Sequence, residues 1–368
     1  MLKFNHRVFL ALVAGISLTS SLDIRANAGN GSNLDEAREL CLNTASVKRG
    51  IRIAPACTLV IESRQLDAKQ QARAHVRRGD VLQRRGKFYE TQNDWSKAIT
   101  IDPGNVPARL LLARSDLLAN QYESALSHYR QVVRLAPENA EAHHGVGMAL
   151  RRMGDFNQAL DAFDKAIQID PIFWKPHVEA AKVYEQLGDI EMALSSYAKA
   201  VVAYRSKRDG HFFIIWTHPK IQRAILLNMI NQTRDAIVDL TSVIEQLGNN
   251  YNAYALRAEF YEAIGDYQRA AADHGSMIGF LAEPATGGHY FARARLHQKQ
   301  GSFDAAIADM ETAIRLGGVQ SILKIQVLLK NSGFDDLEID GKYTVDMRHA
   351  LKRCMKSASC TKGLSSPI

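Results

Sequence analysis

The chain has 368 residues, 46% of them apolar and 23% charged, with a formal net charge of +7. That length suits one long repeat array or two compact domains. Acidic and basic residues are interspersed rather than blocked, so the charge does not by itself argue for nucleic-acid binding.

From the N-terminus, Lys3 and Arg7 lead an apolar run from Val8 to Leu18, and a polar stretch ends in Ala26-Asn27-Ala28. The run is shorter than the roughly 20 residues a spanning helix needs. The A-x-A pattern predicts a signal peptide over residues 1–28, cut after Ala28. Losing Lys3, Arg7, Arg25 and Asp23 lowers the formal charge to +5. No cysteine lies near the cut to carry a lipid, and no later segment is apolar enough to span a membrane, so the expected mature protein is exported. Its cysteines are Cys41, Cys57, Cys354 and Cys360. An even count in an exported chain predicts two disulfides, most simply Cys41–Cys57 and Cys354–Cys360. The alternative is four free thiols in a cytosolic protein. Neither pair has C-x2-C spacing or a histidine at ligand spacing, so no metal site is expected.

From Ala72 the chain keeps a 34-residue period. "GKFYETQNDWSKAITIDP" (86–103) aligns with "GDFNQALDAFDKAIQIDP" (154–171) at an offset of 68. Windows start at Ala72, Val106, Ala140 and Trp174, then at Thr217, Tyr251 and Gly287, with extra residues at 208–216 and 285–286. Position 8 reads Gly79, Ala113, Gly147, Ala181, Ala224, Ala258 and Ala294, and position 20 is alanine except at Thr91. Position 24 is bulky: Trp95, Tyr129, Phe163, Tyr197, Leu240 and Met310, with His274 the weak member. Position 15 reads Gly86, Asn120, Gly154, Gly188, Asn231, Gly265 and Gly301, residues that tolerate φ > 0. Pro103, Pro137 and Pro171 end the second halves of the first three windows.

This pattern resembles the tetratricopeptide repeat family over most of the chain. The resemblance implies an all-α fold, a right-handed superhelix of helix pairs, with seven repeats over 72–320. A degenerate repeat over 34–71 precedes them. Its register places Cys41 at position 8 and Cys57 at position 24, facing each other across one helix pair, so their bond would staple a terminal unit that lacks one neighbour. The resemblance also implies an exported bacterial protein, expected in the periplasm, and a concave groove lined by positions 2, 5, 9, 12 and 13 of each first helix. In the first four repeats those positions include Arg73, Arg84, Arg114, Arg151, Arg152, Lys175 and Lys182, opposed by Asp80, Glu141 and Glu185. They point to an acidic or extended peptide ligand; a solvated arginine-rich face is the bland alternative. Ile221, Ile225, Met229, Glu259, Glu262, Arg295 and Lys299 make the later groove mixed. The family's carboxylate clamp for chaperone tails requires Asn at position 9, which here reads Asp80, Arg114, Met148, Lys182, Ile225, Glu259 and Arg295, so that role does not carry over.

"HFFIIW" (211–216) reads either as a partner patch or, preferably, as packing between units. His143 and His144 are adjacent on a helix and cannot share a ligand. No protease, hydrolase, phosphate-loop or dinucleotide motif occurs, so no enzyme activity and no cofactor is expected.

The residues after 320 break the period. A helix over Ile322–Lys330, a stop at Asn331-Ser332-Gly333, an Asp340-Gly341 turn and a helix over Val345–Met355 are predicted. Gln326, Gly333, Phe334, Asp340, Gly341 and Tyr343 carry a resemblance to the small helical peptidoglycan-binding domain, placed over 321–360 with a tail at 361–368. That resemblance implies wall contact through Asp340, Gly341 and Tyr343, though Thr344 and Met347 depart from the family pattern; a cap on the last repeat is the other reading. The expected function is an exported, non-enzymatic scaffold that binds a protein or acidic peptide and docks to peptidoglycan, with no nucleic acid and no membrane span. The alternative is an accessory or regulatory subunit of an enzyme of envelope or polysaccharide assembly.

Overall fold

The computed structural model describes residues 31–43, 50–206, 218–282 and 286–356. The signal segment, the 208–216 insertion with its "HFFIIW", Ala285 and Cys360 lie outside the described residues. Among those described, the structure is helical throughout, with 17 helices. The chain divides into two compact units, one ending at Glu179 and the other beginning at Ala180.

The first unit opens with α1 (Gly31–Leu42) and α2 (Gly50–Glu62). The pairs α3/α4 (Ala68–Arg84, Phe88–Ile101), α5/α6 (Val106–Leu118, Tyr122–Leu135) and α7/α8 (Ala140–Met153, Phe156–Ile169) follow. The helix α9 (Trp174–Leu187) runs through the division. The second unit continues with α10 (Ile190–Ser206), then α11/α12 (Pro219–Met229, Thr233–Leu247), α13/α14 (Tyr251–Ala263, Tyr267–Phe280) and α15 (Gly287–Lys299). The segment α16 (Phe303–Asn331) and α17 (Val345–Met355) complete it.

The helix pairs form where the period placed them. All seven position-15 residues adopt positive φ, from 60° at Asn120 to 89° at Gly154, and each turns the chain from a first helix into a second. First helices begin at asparagine caps: Asn105, Asn139 and Asn250 each accept the backbone N–H three residues on, at 2.8–3.0 Å. This satisfies one of the four unpaired donors at a helix start. Asp67 and Gln70 close a reciprocal capping box on α3.

Close packing explains the small residues. A Cβ added to Gly147 would meet the Phe163 ring at 2.4 Å, and one on Gly79 would meet the Trp95 indole at 2.6 Å. Position 24 therefore presses on position 8 of its own repeat. Gly145 makes the same approach to Tyr129 of the preceding repeat, at 2.3 Å. The terminal pair α1/α2 is tied by Cys41–Cys57, both fully buried with Cα atoms 5.0 Å apart, as the register required.

The 320/321 boundary read from the sequence falls inside a helical segment. The break in α16 lies at Gly318 (φ 61°, ψ −154°), and helix resumes at once through Asn331. A positive φ is cheap only for glycine, so the backbone turns there without a loop. Ile325, Leu329, Met347, Ala350 and Leu351 then share one buried cluster with Phe291, Ala294, Met310 and Ile314 of the last repeat. The C-terminal module covers the apolar end of the second unit.

Candidate binding face and the repeat junctions

On α3, Arg73, Arg77, Asp80 and Arg84 recur at i, i+4, i+7 and i+11, and so share one face. Arg73 and Arg84 are exposed, and Asp80 is half-buried. Burial pushes the Asp80 carboxyl up; Trp95, Arg84 and Arg77 pull the other way without reversing it. Arg114 pairs with Glu141 of the next repeat. Arg151 Nη2 lies 2.9 Å from Glu179 Oε2, both side chains largely buried. These two arginines are spent on ties between successive repeats. Arg152 and Lys175 face solvent, with Lys175 Nζ 6.0 Å from the Trp174 ring centre. Lys182, in the second unit, is half-buried. The first unit thus presents Arg73, Arg84, Arg152 and Lys175 outward. An exposed guanidinium offers paired donors to a carboxylate.

In the second unit two of the equivalent cations share one carboxylate. Glu262 accepts from Arg295 Nη2 at 2.9 Å and from Lys299 Nζ at 2.8 Å. Burial would raise its pKa, but the two cations hold it below the ordinary carboxylate range. Ile221 is buried, Ile225 half-buried, and Met229 is 70% exposed.

A further set of residues was missed by the sequence reading. Arg78, Arg223, Arg257 and Arg293 each make a two-pronged pair with an aspartate sixteen residues on, Asp94, Asp239, Asp273 and Asp309, at 2.6–2.9 Å. In repeat register these are positions 7 and 23, and they brace the two helices of one pair. Arg78 also donates to Thr58 at 3.0 Å and Arg257 to Thr241 at 2.9 Å, both on the preceding repeat. The sequence signal was present: Arg at 7 with Asp at 23 in four of seven windows. It was obscured because three windows lack it, with Leu112/His128, Val146/Ala162 and Ala180/Ser196 instead. At Asp94 burial raises the pKa, but donors on Arg78 and His75 (Nδ1 at 2.9 Å) outweigh it and hold the carboxyl below its usual value.

In the C-terminal module, buried Gln326 organises the Asp340-Gly341 turn. Its Nε2 donates to Asp340 Oδ1 (2.9 Å) and the Lys342 carbonyl (3.0 Å), and its Oε1 accepts from Gly341 N (2.9 Å). Gly341 has φ 72°, and a Cβ there would sit 2.8 Å from Val319. Tyr343 donates to Glu311 of the last repeat at 3.1 Å, and Arg348 grips the same carboxylate at 2.5 and 3.2 Å. Burial and Glu311 both raise the Tyr343 pKa. Gln298 Nε2 donates to the Met355 carbonyl at 2.7 Å, fastening the end of α17. Asp340, Gly341 and Tyr343 are therefore brought together, in contacts internal to the chain. Cys354 is buried; its expected partner Cys360 lies outside the described residues.

His143 is half-buried, with Nε2 2.8 Å from the Pro137 carbonyl, and His144 is buried between Phe163 and Phe173. Among the described residues no group of three or more His, Cys, Asp or Glu is placed to hold a metal, and no helix is long and apolar enough to cross a membrane.

Comparison with known proteins agrees with the repeat geometry. The tetratricopeptide repeat model matches residues 110–171, and a second model of the same description matches 176–205 and 290–316. The chain carries tetratricopeptide repeats. It is 35% identical over 72 residues to DnaJ homolog subfamily C member 3 of Gallus gallus, a match covering 19% of this chain and 14% of that protein. Similar solved structures include a tetratricopeptide repeat protein from Parabacteroides merdae (16% identical, 67% of this chain and 94% of that one, TM-score 0.44). Pseudomonas aeruginosa pilF is 17% identical over 60% of this chain and 96% of its own, with a TM-score of 0.46. MamA from Desulfovibrio magneticus is 20% identical over 48% and 96%, with a TM-score of 0.41.

Proposed function

We propose that the protein is a non-enzymatic scaffold whose first-helix face in residues 72–179 binds an acidic peptide or protein segment. Tetratricopeptide repeats are protein-interaction scaffolds, and the observation that favours an acidic ligand is the sorting of the cations. Arg114 and Arg151 are tied to glutamates of neighbouring repeats, while Arg73, Arg84, Arg152 and Lys175 are turned to solvent. Exposed cations screened by salt steer an anionic partner and set its register more than they add raw affinity. The reading is tested by fluorescence anisotropy with glutamate-rich and lysine-rich peptides of equal length. Preferential binding of the acidic peptide, weakening with salt and reduced at least tenfold by Arg73→Glu with Arg84→Glu and Arg152→Glu, is expected. Equal binding by the triple variant would sink it.

The reading places the protein outside the cytoplasm, on the strength of the 1–28 segment and the Cys41–Cys57 bond. Within it the C-terminal module acts as a cap, favoured by the engagement of Asp340 with Gln326 and of Tyr343 with Glu311. Docking to the cell wall predicts co-sedimentation of the full chain with peptidoglycan, reduced by Lys342→Glu, whose ammonium is exposed. No sedimentation leaves the cap alone.

A further inference from the structure

The junction between the sixth and seventh repeats is built on two histidines. His274, on α14, faces His289, on α15, with Nδ1 to Nδ1 at 3.1 Å and the rings tilted 41° to each other. On the far side of the second ring, His289 Nε2 lies 3.2 Å from the Tyr251 hydroxyl of α13. A nitrogen-to-nitrogen contact of this length is a hydrogen bond only if one nitrogen is bare. The tautomers of the two rings are therefore coupled. If Tyr251 donates to His289 Nε2, then His289 Nδ1 carries the hydrogen and His274 Nδ1 accepts it. One added proton can be shared within the pair, but two set N–H against N–H at 3.1 Å.

The surroundings oppose that second charge. Arg293 and Arg295, on α15, face the pair, and an added Cβ at Gly275, beside His274, would lie 3.2 Å from Arg293 Nη1. Among the described residues the carboxylate facing His274, Glu262 on α13, is already held by Arg295 and Lys299, and Asp309 on α16 is held by Arg293. His274 also occupies position 24, filled in the other six repeats by Trp95, Tyr129, Phe163, Tyr197, Leu240 and Met310, so the sixth repeat alone places an imidazole there.

We propose that the His274–His289 pair is an acid-sensitive junction, which holds the sixth and seventh repeats together when both imidazoles are neutral and loosens them when both are charged. Burial first, then His289, push His274 down to about 4, and burial pushes His289 down as well. The sign follows. A base whose folded pKa lies below its unfolded value of about 6.5 leaves stability intact above that value. As pH falls from there toward the folded pKa, the unfolded chain takes up protons that the folded one refuses. Each histidine lowers the folding equilibrium constant by up to about tenfold per pH unit in that window.

The test uses the full chain. Hydrogen exchange of α13–α15 and histidine ring NMR are followed from pH 7.5 to 4.5, with His274→Leu, the residue the fifth repeat carries at that position, and His289→Gln, which keeps a neutral donor and acceptor. The expected result is two ring signals titrating well below 6.5. Opening at this junction, read as amide exchange relative to the intrinsic rate at each pH, should rise tenfold or more between pH 6.5 and 5 in the native chain and clearly less in either variant. His218, also pushed down to about 4, by burial and Lys220, affects all three chains alike. Ring signals titrating near 6.5, or the same rise in the variants as in the native chain, overturns the proposal. If His274→Leu fails to fold, His289→Gln carries the comparison.

Discussion

The three repeats that begin at Val106, Ala140 and Trp174 and the three that begin at Thr217, Tyr251 and Gly287 hold their helix pairs together differently. In the first set position 24 is aromatic, Tyr129, Phe163 and Tyr197, and positions 7 and 23 are apolar or small in all but His128. In the second set position 24 is Leu240, His274 or Met310, and an arginine–aspartate pair braces positions 7 and 23. An aromatic fills the layer by itself, with Gly145 and Gly147 making room for Tyr129 and Phe163. A shorter residue leaves that layer thinner, and the arginine stem with its bonded head closes it. The first full repeat does both, with Trp95 and Arg78–Asp94. One backbone plan thus accepts two chemistries because each satisfies close packing without an unpaired buried charge.

The largest effect that would break this comparison is removal of half a brace. Asp239→Ala leaves Arg223 without its carboxylate in a mostly buried site and should cost about 3 kcal/mol, read as loss of exchange protection in α11 and α12. The double change Arg223→Val with Asp239→Ala imports the Val146/Ala162 solution and should recover most of that loss. A double variant as unstable as the single would show that Leu240 cannot be packed without the ion pair. Next comes Gly147→Ala, which drives a methyl into Phe163 and should cost about 1–3 kcal/mol; the repeats braced by Arg223, Arg257 and Arg293 already carry alanine at that position. A neutral outcome in thermal unfolding would mean the aromatic layer yields easily.

Of similar size is the N-terminal staple. Cys57→Ser opens a 16-residue loop and should cost the terminal pair about 3 kcal/mol if unfolded-chain entropy dominates. Limited proteolysis should then cut within α1 and α2 while the braced repeats stay protected. The smallest effect is electrostatic. Asp94's folded pKa lies below its unfolded value of about 3.9, so its contribution is fully present above that pH and fades as pH falls through the lower folded value. His75→Leu removes one of its donors and should shrink the acid-induced loss below about pH 4, at a cost near 1 kcal/mol at neutral pH. An unchanged acid limb in urea titrations would show that Arg78 alone sets the shift.

Much of this molecule was legible in the residues. The φ-positive turn at position 15, the small residues at 8 and 20, and the Cys41–Cys57 register follow from local geometry repeated at a fixed spacing, so each copy corroborates the others. The α17 bounds were legible because Thr344 and the Val345–Met355 periodicity mark a helix locally. The candidate face was legible as a list of cations, and only in part as a site. Which arginines remain outward depends on whether a neighbouring repeat offers a carboxylate within reach, as Glu141, Glu179 and Glu262 do for Arg114, Arg151 and Arg295.

The amino-acid order by itself determined the helix pairs, their period and the break at the end of the array, because capping, turn conformation and apolar spacing act within a few residues of the chain. Only the tertiary structure decided which charges are internal braces, that Gln298 and Glu311 fasten the C-terminal module to the last repeat, and that two histidines meet at 3.1 Å. Those pairings join different helices, and their energies are set by burial and approach distance, which exist only once the helices have packed.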